Sequence, residues 1–328
     1  MKRAILAGVI AAALHAGFAS AAAESLDARV KSADGWVAWD VPMIADAGSP
    51  CCWSQRRGKL DGCDLDDRNH GFSTSDDPRP PGPDALTVYA HVANARVDDI
   101  RAYAATCPVR SKDDIRRLDG VAPDASIELL SRWMDADASR DETALGAVAY
   151  HDAGTATRVL AAHAEPAHPR NTRESALFWL GQARGADGAA IVERFATTDD
   201  DPKIREHAIF ALSESRAGDP YLRIRAISGS DPSDHVRSQA LFWMAQMHDA
   251  RAAGDITTAI VHDASADVRE QAVFALSQLD GGKGDEALIG LLKGAYPRDV
   301  KKQALFWLGQ SGSPRAMQYF DEALTKSK

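Results

Sequence analysis

Phe178, Phe210, Phe242, Phe274 and Phe306 follow one another at a constant step of 32 residues, with no insertion or deletion across the series. A fixed period of this size constrains the chain to a stack of one repeated supersecondary unit, since a single unit cannot bury its own apolar face. The register extends to Ala176, Ala208, Ala240, Ala272 and Ala304, and to Leu180, Leu212, Met244, Leu276 and Leu308. Thr172, Ile204, Val236, Val268 and Val300 share a further slot. At about 100° per residue these positions gather on one side of a helix. Val192, Ile224, Ile256, Leu288 and Phe320 mark a second helix in each unit, as do Phe195, Ile227, Ala259, Leu291 and Ala323 three residues on. Gly, Asp and Pro separate the two segments, so each unit reads as a helix-turn-helix hairpin. Residues 141–148 (DETALGAV) fit the frame with Gly146 in the Phe slot, as expected of a degenerate capping unit.

Trp179, Trp243 and Trp307 fall on the apolar side, with Ala211 and Ala275 in the alternate copies. The expectation is a core in which an indole in one unit sits beside a methyl in the next. Phe178 points roughly 200° away from Ala176, into the polar side between Glu174 and Gln182. With stacked helices about 8–10 Å apart, the five phenylalanines predict a ridge on the order of 40 Å long. An apolar ridge of that size marks a protein contact surface or is covered from within, by the N-terminal region or a twin subunit. The candidate protein-binding set is Phe178, Phe210, Phe242, Phe274 and Phe306 with Gln182, Gln246, Gln278 and Gln310 beside them.

The first helix of each unit resembles the bacterial HEAT-like repeat of the phycobilisome-lyase type, which reads approximately V-R-x-x-A-x-x-A-L-G. Val268-Arg269, Ala272, Ala275, Leu276 and Ser277 carry the resemblance, as do Val236-Arg237, Ala240, Met244 and Ala245. Asp199, Asp231 and Asp263, each six residues before Arg205, Arg237 and Arg269, are similar to the Asp/Arg ladder of HEAT arrays, and the ladder lapses at Ala295 and Lys301. The resemblance covers about residues 141–328 and implies an α-solenoid of about six helix pairs, with protein binding as its use. HEAT-like relatives include phycobilin lyases and a di-iron hydroxylase marked by repeated His-Glu dipeptides. Only the reversed pair Glu206-His207 occurs here, so the resemblance transfers no active site.

Residues 1–23 have the basic start, apolar run and small-residue cleavage pattern of a secretory leader, with cleavage expected near Ala21 to Ala23. The expected location is therefore periplasmic or secreted. Residues 24–120 lack sustained helical periodicity and read as a smaller β-containing module, with extended segments at 36–41, 86–92 and 98–105, the third of them open to a helix as well. The solenoid is expected over 121–328, opening with a helix that begins at Pro123-Asp124 and carries Ile127, Leu130 and Met134 on one face. The polar stretch between the first two strands holds Cys51, Cys52 and Cys63, and Cys107 follows the third. An even cysteine count in an exported chain predicts two disulfides. Vicinal Cys51 and Cys52 are too close along the backbone to pair without strain, so each is free to take Cys63 or Cys107, and both connectivities stay open.

Removing Lys2 and Arg3 with the leader takes the formal charge from -9 to -11. An acidic chain without a basic aromatic-interleaved block is unsuited to nucleic acid. No H-E-x-x-H, G-x-S-x-G or phosphate-binding glycine loop occurs, and Gly309-Gln310-Ser311-Gly312 reads as a turn at a helix end. His207 reads as a hydrated flank residue, in a slot that is Ser175, Gln239, Gln271 and Gln303 elsewhere. His151, His163 and His168 lack an acidic or cysteine partner at ligand spacing, and residues 61–70 miss the calcium-loop register. The expected function is a non-catalytic, exported protein-binding scaffold or adaptor without cofactor or metal, with a protein or peptide partner in the cell envelope and a homo-oligomer open. The alternative is an enzyme or thiol redox sensor with its chemistry around Cys51 and Cys52.

Overall fold

The computed structural model describes residues 24–45, 47–51, 62–67, 74–75, 84–136, 141–280 and 282–326. The leader and Cys52 lie outside the described residues. The three segments expected to be extended form β1 (Gly35–Pro42), β5 (Ala85–Ala93) and β6 (Arg96–Ala104). Four two-residue strands lie between or after them: β2 (Ser49–Pro50), β3 (Cys63–Asp64), β4 (Thr74–Ser75) and β7 (Val109–Arg110). A fifth, β8 (Arg116–Arg117), completes a sheet ordered β6-β5-β1-β8, in which β1 runs antiparallel to β5 and parallel to β8. Asn94 and Ala95 close the β5–β6 hairpin at φ 54 and 57, the left-handed pair that a two-residue turn matched to strand twist requires. A short helix, α1 (Leu26–Lys31), precedes the sheet and is capped by the Ser25 hydroxyl, which accepts from the Ala28 amide.

Alternation along β1 gives the sheet two apolar faces. Val37, Trp39 and Val41 point into the same core as the helices, whereas Trp36 and Ala38 share the opposite cluster with Cys51, Cys63, Tyr89 and Tyr103. The helical core therefore runs without interruption from the sheet into the repeats, and the small module serves as the cover of the array's first end.

The helices after the sheet are α2 (Pro123–Ala136), α3 (Asp141–Ala149), α4 (Gly154–His163), α5 (Arg170–Ala183) and α6 (Gly185–Thr198). They continue as α7 (Pro202–Ser213), α8 (Pro220–Ser230), α9 (Asp234–Gln246), α10 (Ala252–His262) and α11 (Ala266–Ser277). The last are α12 (Lys283–Lys293), α13 (Arg298–Ser311) and α14 (Pro314–Lys326). From α3 onward they form helix pairs at the period the sequence sets, and α2, with Ile127, Leu130 and Met134 buried, joins them to the sheet. Helix starts are written in the sequence: Asp201 and Asp219 cap α7 and α8 ahead of Pro202 and Pro220, and Ser233 and Ser265 cap α9 and α11.

Adjacent units are tied by buried or half-buried guanidinium groups. Arg205 Nε and Nη2 donate to the two oxygens of Asp231 at 2.8 and 3.0 Å, and its Nη1 donates to the Asp199 carbonyl at 2.8 Å. Arg237 repeats this with Asp263 and the Asp231 carbonyl. Arg173 begins the series one unit earlier, on Asp199. Arg269 still donates to the Asp263 carbonyl at 2.8 Å but meets Ala295 where the next carboxylate belongs, which is where the sequence places the lapse. Each Asp also accepts from a backbone amide two residues on, as Asp231 does from Ser233 at 2.8 Å. One carboxylate thus orders the turn and clamps the unit before it.

Candidate interaction surface

The first helices of successive units, α5, α7, α9, α11 and α13, approach one another more closely than the second helices do. The more closely packed layer is the one that carries the phenylalanines. Phe178, Phe210, Phe242 and Phe274 are half-buried there, and Phe306 is 52% exposed.

The rings are not evenly spaced. Phe178 stacks on Phe210 with centroids 5.9 Å apart and planes 14° from parallel, and Phe242 on Phe274 at 6.3 Å and 5°. Between those pairs Trp243 lies 5.0 Å from Phe210, and Trp307 lies 4.8 Å from Phe274. Each Trp also meets the Phe beside it in its own unit. The ladder is therefore continuous from Phe178 to Phe306, and it repeats every two units.

This corrects the expectation that all three indoles are core groups. Only Trp179 is, at 5% exposure; Trp243 and Trp307 are half-buried members of the ladder. The cause is the residue in the preceding unit's Phe slot. Trp179 lies over Gly146, where it sinks into the core and meets Tyr150 at 5.9 Å. Trp243 and Trp307 meet Phe210 and Phe274 in that place and are held outward. Ala211 and Ala275 leave the preceding Phe free to stack on the next, so the Trp/Ala swap sets which rings pair across units.

The glutamines expected beside the ladder are placed unequally. Gln278 and Gln310 are exposed and Gln246 is half-buried, but Gln182 is 9% exposed and packs inside the first full unit. His207 also departs from expectation: it is half-buried, 5.5 Å from Phe210, and among the described residues its buried Nε2 has no hydrogen-bond partner. Burial lowers its pKa, against the raising effects of the Glu174 charge and backbone carbonyl. The residues that line the grooves beside the rings come instead from the slot of His207. Gln239 and Gln271 flank the Phe242–Phe274 pair in a groove of about 620 Å³, with Asp234 and Asp267 on its rim. Gln239 also lines the neighbouring groove of about 490 Å³ with Glu174, Phe210 and Trp243. Identical Gln at 239, 271 and 303 is the signal that marks this slot in the sequence.

In the N-terminal module Cys51 is bonded to Cys107, which settles one of the two open connectivities. Cys63 is also disulfide-bonded, and its Sγ lies 3.5 Å from that of Cys107. Among the described residues no cysteine is free, and the cysteine site of the alternative reading is occupied by bridges as far as it is described. A cleft of about 320 Å³ on the sheet pairs its own charges: His91 with Asp98 at 2.6 Å, and Arg101 with Asp99 at 2.9 Å.

The three histidines of the first unit do not converge on one site. His163 and His168 stack at 4.6 Å, while His151 is wholly buried between the sheet and α3. There the Trp39 indole N–H donates to Ser126 Oγ at 2.8 Å, and Ser126 lies 2.9 Å from His151 Nε2. Trp39 can only donate, so the Ser126 proton goes on to Nε2, and His151 Nδ1 carries the hydrogen given to the Ala147 carbonyl at 2.8 Å. Burial pushes this imidazole down to about 4, so it is neutral in the folded protein at neutral pH.

Paired helices stacked at one period, sharing a core and tied by Arg–Asp clamps, define a HEAT-like α-solenoid with a small β-containing module at its first end. No family model matches the chain, and no curated protein sequence matches it. Among solved structures it is similar to human deoxyhypusine hydroxylase in complex with glycerol, at 14% identity over 56% of this chain and 84% of that one, with a TM-score of 0.27. It is also similar to the complex of CpcE and CpcF of phycocyanin lyase from Nostoc sp. PCC7120, at 16% identity over 65% of this chain and 98% of that one, with a TM-score of 0.28. Neither likeness is close enough to carry an activity, and the fold stands on the chain's own geometry. Among the described residues no helix is long and apolar enough to cross a membrane.

Proposed function

We propose that this protein is an exported, non-catalytic scaffold of the bacterial HEAT-like type, which docks a protein partner of the cell envelope on the aromatic ladder. The observation that carries the reading is the continuous ring series from Phe178 to Phe306, left half-buried to exposed along one layer of the array. Water disfavours a patch of this extent on a soluble protein, and patches with a polar rim are the usual mark of an interface. Glu206 in this layer takes both Lys203 at 2.9 Å and His235 at 3.0 Å, a pairing that suits contact better than proton transfer.

The test is the pair Phe210→Ser and Phe242→Ser, with a photo-crosslinking residue in place of Phe306, in cells that express the protein from its own promoter. Loss of the crosslinked partner with a melting temperature lowered only slightly supports docking. Full capture with a large drop in melting temperature removes the reading. Fractionation of the same cells checks export: the mature chain is expected in the periplasmic or secreted fraction, shortened by about the length of a leader.

A further inference from the structure

The groove over the Phe242–Phe274 pair has a donor and acceptor set that the fold does not use. Among the described residues, the Gln239 and Gln271 side-chain amides have no hydrogen-bond partner, whereas Gln303, next in the slot, is engaged by Glu270 at 2.6 Å. Asp267 likewise has no ion pair among the described residues, and Asp234 shares only the Arg237 guanidinium at 2.9 Å while staying 54% exposed. The one basic side chain of the groove, His235, is turned to Glu206. Two stacked rings, two unspent amides and a carboxylate rim therefore border the same space.

A primary amide both donates and accepts, so a row of them satisfies the N–H and C=O groups of an extended backbone. Carboxylates attract a cation, and the rings beside them offer apolar surface to the aliphatic stem of a Lys or Arg. First helices stack about 8–10 Å apart. A polyproline II segment rises about 3.1 Å per residue with three residues per turn, so it presents the same side-chain direction about every 9 Å. We propose that this groove takes an extended, cationic peptide segment of the partner, with Lys or Arg at every third position, its backbone on Gln239 and Gln271, its aliphatic stems along the rings and its cations at Asp234 and Asp267. The charge of the chain, formally -9, favours a basic occupant over a second copy of itself. This inference rests on the ladder being a contact surface.

Fluorescence anisotropy on the purified protein tests it, with a labelled twelve-residue peptide of Lys, Pro and Ala repeated four times. The same peptide with Glu for Lys, and one with its four lysines clustered at an end, are the controls. The Lys repeat is expected to bind about tenfold more tightly than the Glu peptide and several-fold more tightly than the clustered one, with an advantage that shrinks in salt. The double variants Gln239→Ala with Gln271→Ala, and Asp234→Asn with Asp267→Asn, should each weaken binding about tenfold with unchanged circular dichroism melting. Equal binding of the Glu peptide, or variants that bind as wild type, overturns the proposal. So does a dimer separated by Phe242→Ser that the peptide does not displace, which makes a second copy the occupant. If the peptide fails while Phe-dependent crosslinking to a partner persists, the partner chemistry is wrong and the ladder reading stands; if both fail, both are withdrawn.

Discussion

The Trp179 indole lies flat enough on Gly146 that a Cβ added there would sit 2.8 Å from its Cζ2 carbon. Glycine in the middle of α3 costs that helix about 1 kcal/mol relative to alanine. What offsets the cost is a buried indole, with Tyr150 against its edge. Gly146→Ala should therefore destabilise in spite of better helix propensity, by about 1–2 kcal/mol, because the ring has no free end to swing away. Gly146→Phe, which restores the residue of the other units, should cost more and push Trp179 outward. Urea midpoints and a red shift in tryptophan emission are the measurements.

The same relationship shows how far the sequence could be read. The period, the helix pairs and the lapse of the ladder after Arg269 all follow from slots whose neighbours are four residues or one unit away. The position of each Trp does not, because it depends on side-chain volume 33 residues earlier: glycine at 146, phenylalanine at 210 and 274. The choice of Cys107 for Cys51 was equally closed, since both loop lengths are open to either cysteine and only the β3–β7 pairing beside them brings the chains together. Of the candidate surface, the rings were legible and the groove was not, because Gln239 and Gln271 gain meaning only when adjacent helices are set side by side.

The rule that each Trp rests on the preceding unit's Phe slot predicts the effect of adding one. Ala275 is fully buried, and Phe242 and Phe274 stack across the space an indole there would enter. Ala275→Trp should break that stack and destabilise by about 2–3 kcal/mol, as overpacking of a filled site does. Trp243→Ala removes a half-buried ring and should cost about as much without disturbing the Phe178–Phe210 pair. Equilibrium denaturation of the two variants checks the first figure against the second, and an Ala275→Trp protein as stable as wild type would refute the rule.

The Arg205 and Asp231 side chains are 9% and 3% exposed, so removing one leaves the other charged in the interior. Asp231→Ala should lower stability by about 3 kcal/mol and loosen the join between two units. Asp219 makes an ion pair with Arg251 in solvent, at 2.9 Å, and Asp219→Asn should leave the denaturation midpoint close to wild type. Hydrogen exchange of α7 and α9 is the finer measurement: protection should fall at the clamp in the first variant and nowhere in the second.

His151 makes stability depend on pH with a fixed sign. Its folded pKa, about 4, lies below the ordinary 6.5, so the unfolded chain takes up a proton first as pH falls. Stability is therefore complete above about pH 6.5, declines through the interval down to about pH 4, and loses no more from this group below that. The loss at pH 5 relative to pH 7 is about 2 kcal/mol. His151→Gln keeps a donor for Ala147 and an acceptor for Ser126 but cannot titrate. The variant should show a flatter profile by that amount, and equal slopes for both proteins would remove the assignment of the neutral imidazole.

Glycine substitutions separate helix propensity from helix contact within one array. Gly254 in α10 and Gly290 in α12 have open space where a Cβ would go, so alanine there gains about 1 kcal/mol each from propensity and a less flexible unfolded chain. Gly181, in α5, faces the backbone of α7, and a Cβ would collide with the Ala211 carbonyl oxygen. Backbone cannot turn aside as a side chain can, so Gly181→Ala must part the two helices along the face where Phe178 stacks on Phe210. Opposite shifts in melting temperature are expected, upward for Gly254→Ala and Gly290→Ala and downward for Gly181→Ala. If all three rise together, α5 and α7 are not as close as the stacked rings require.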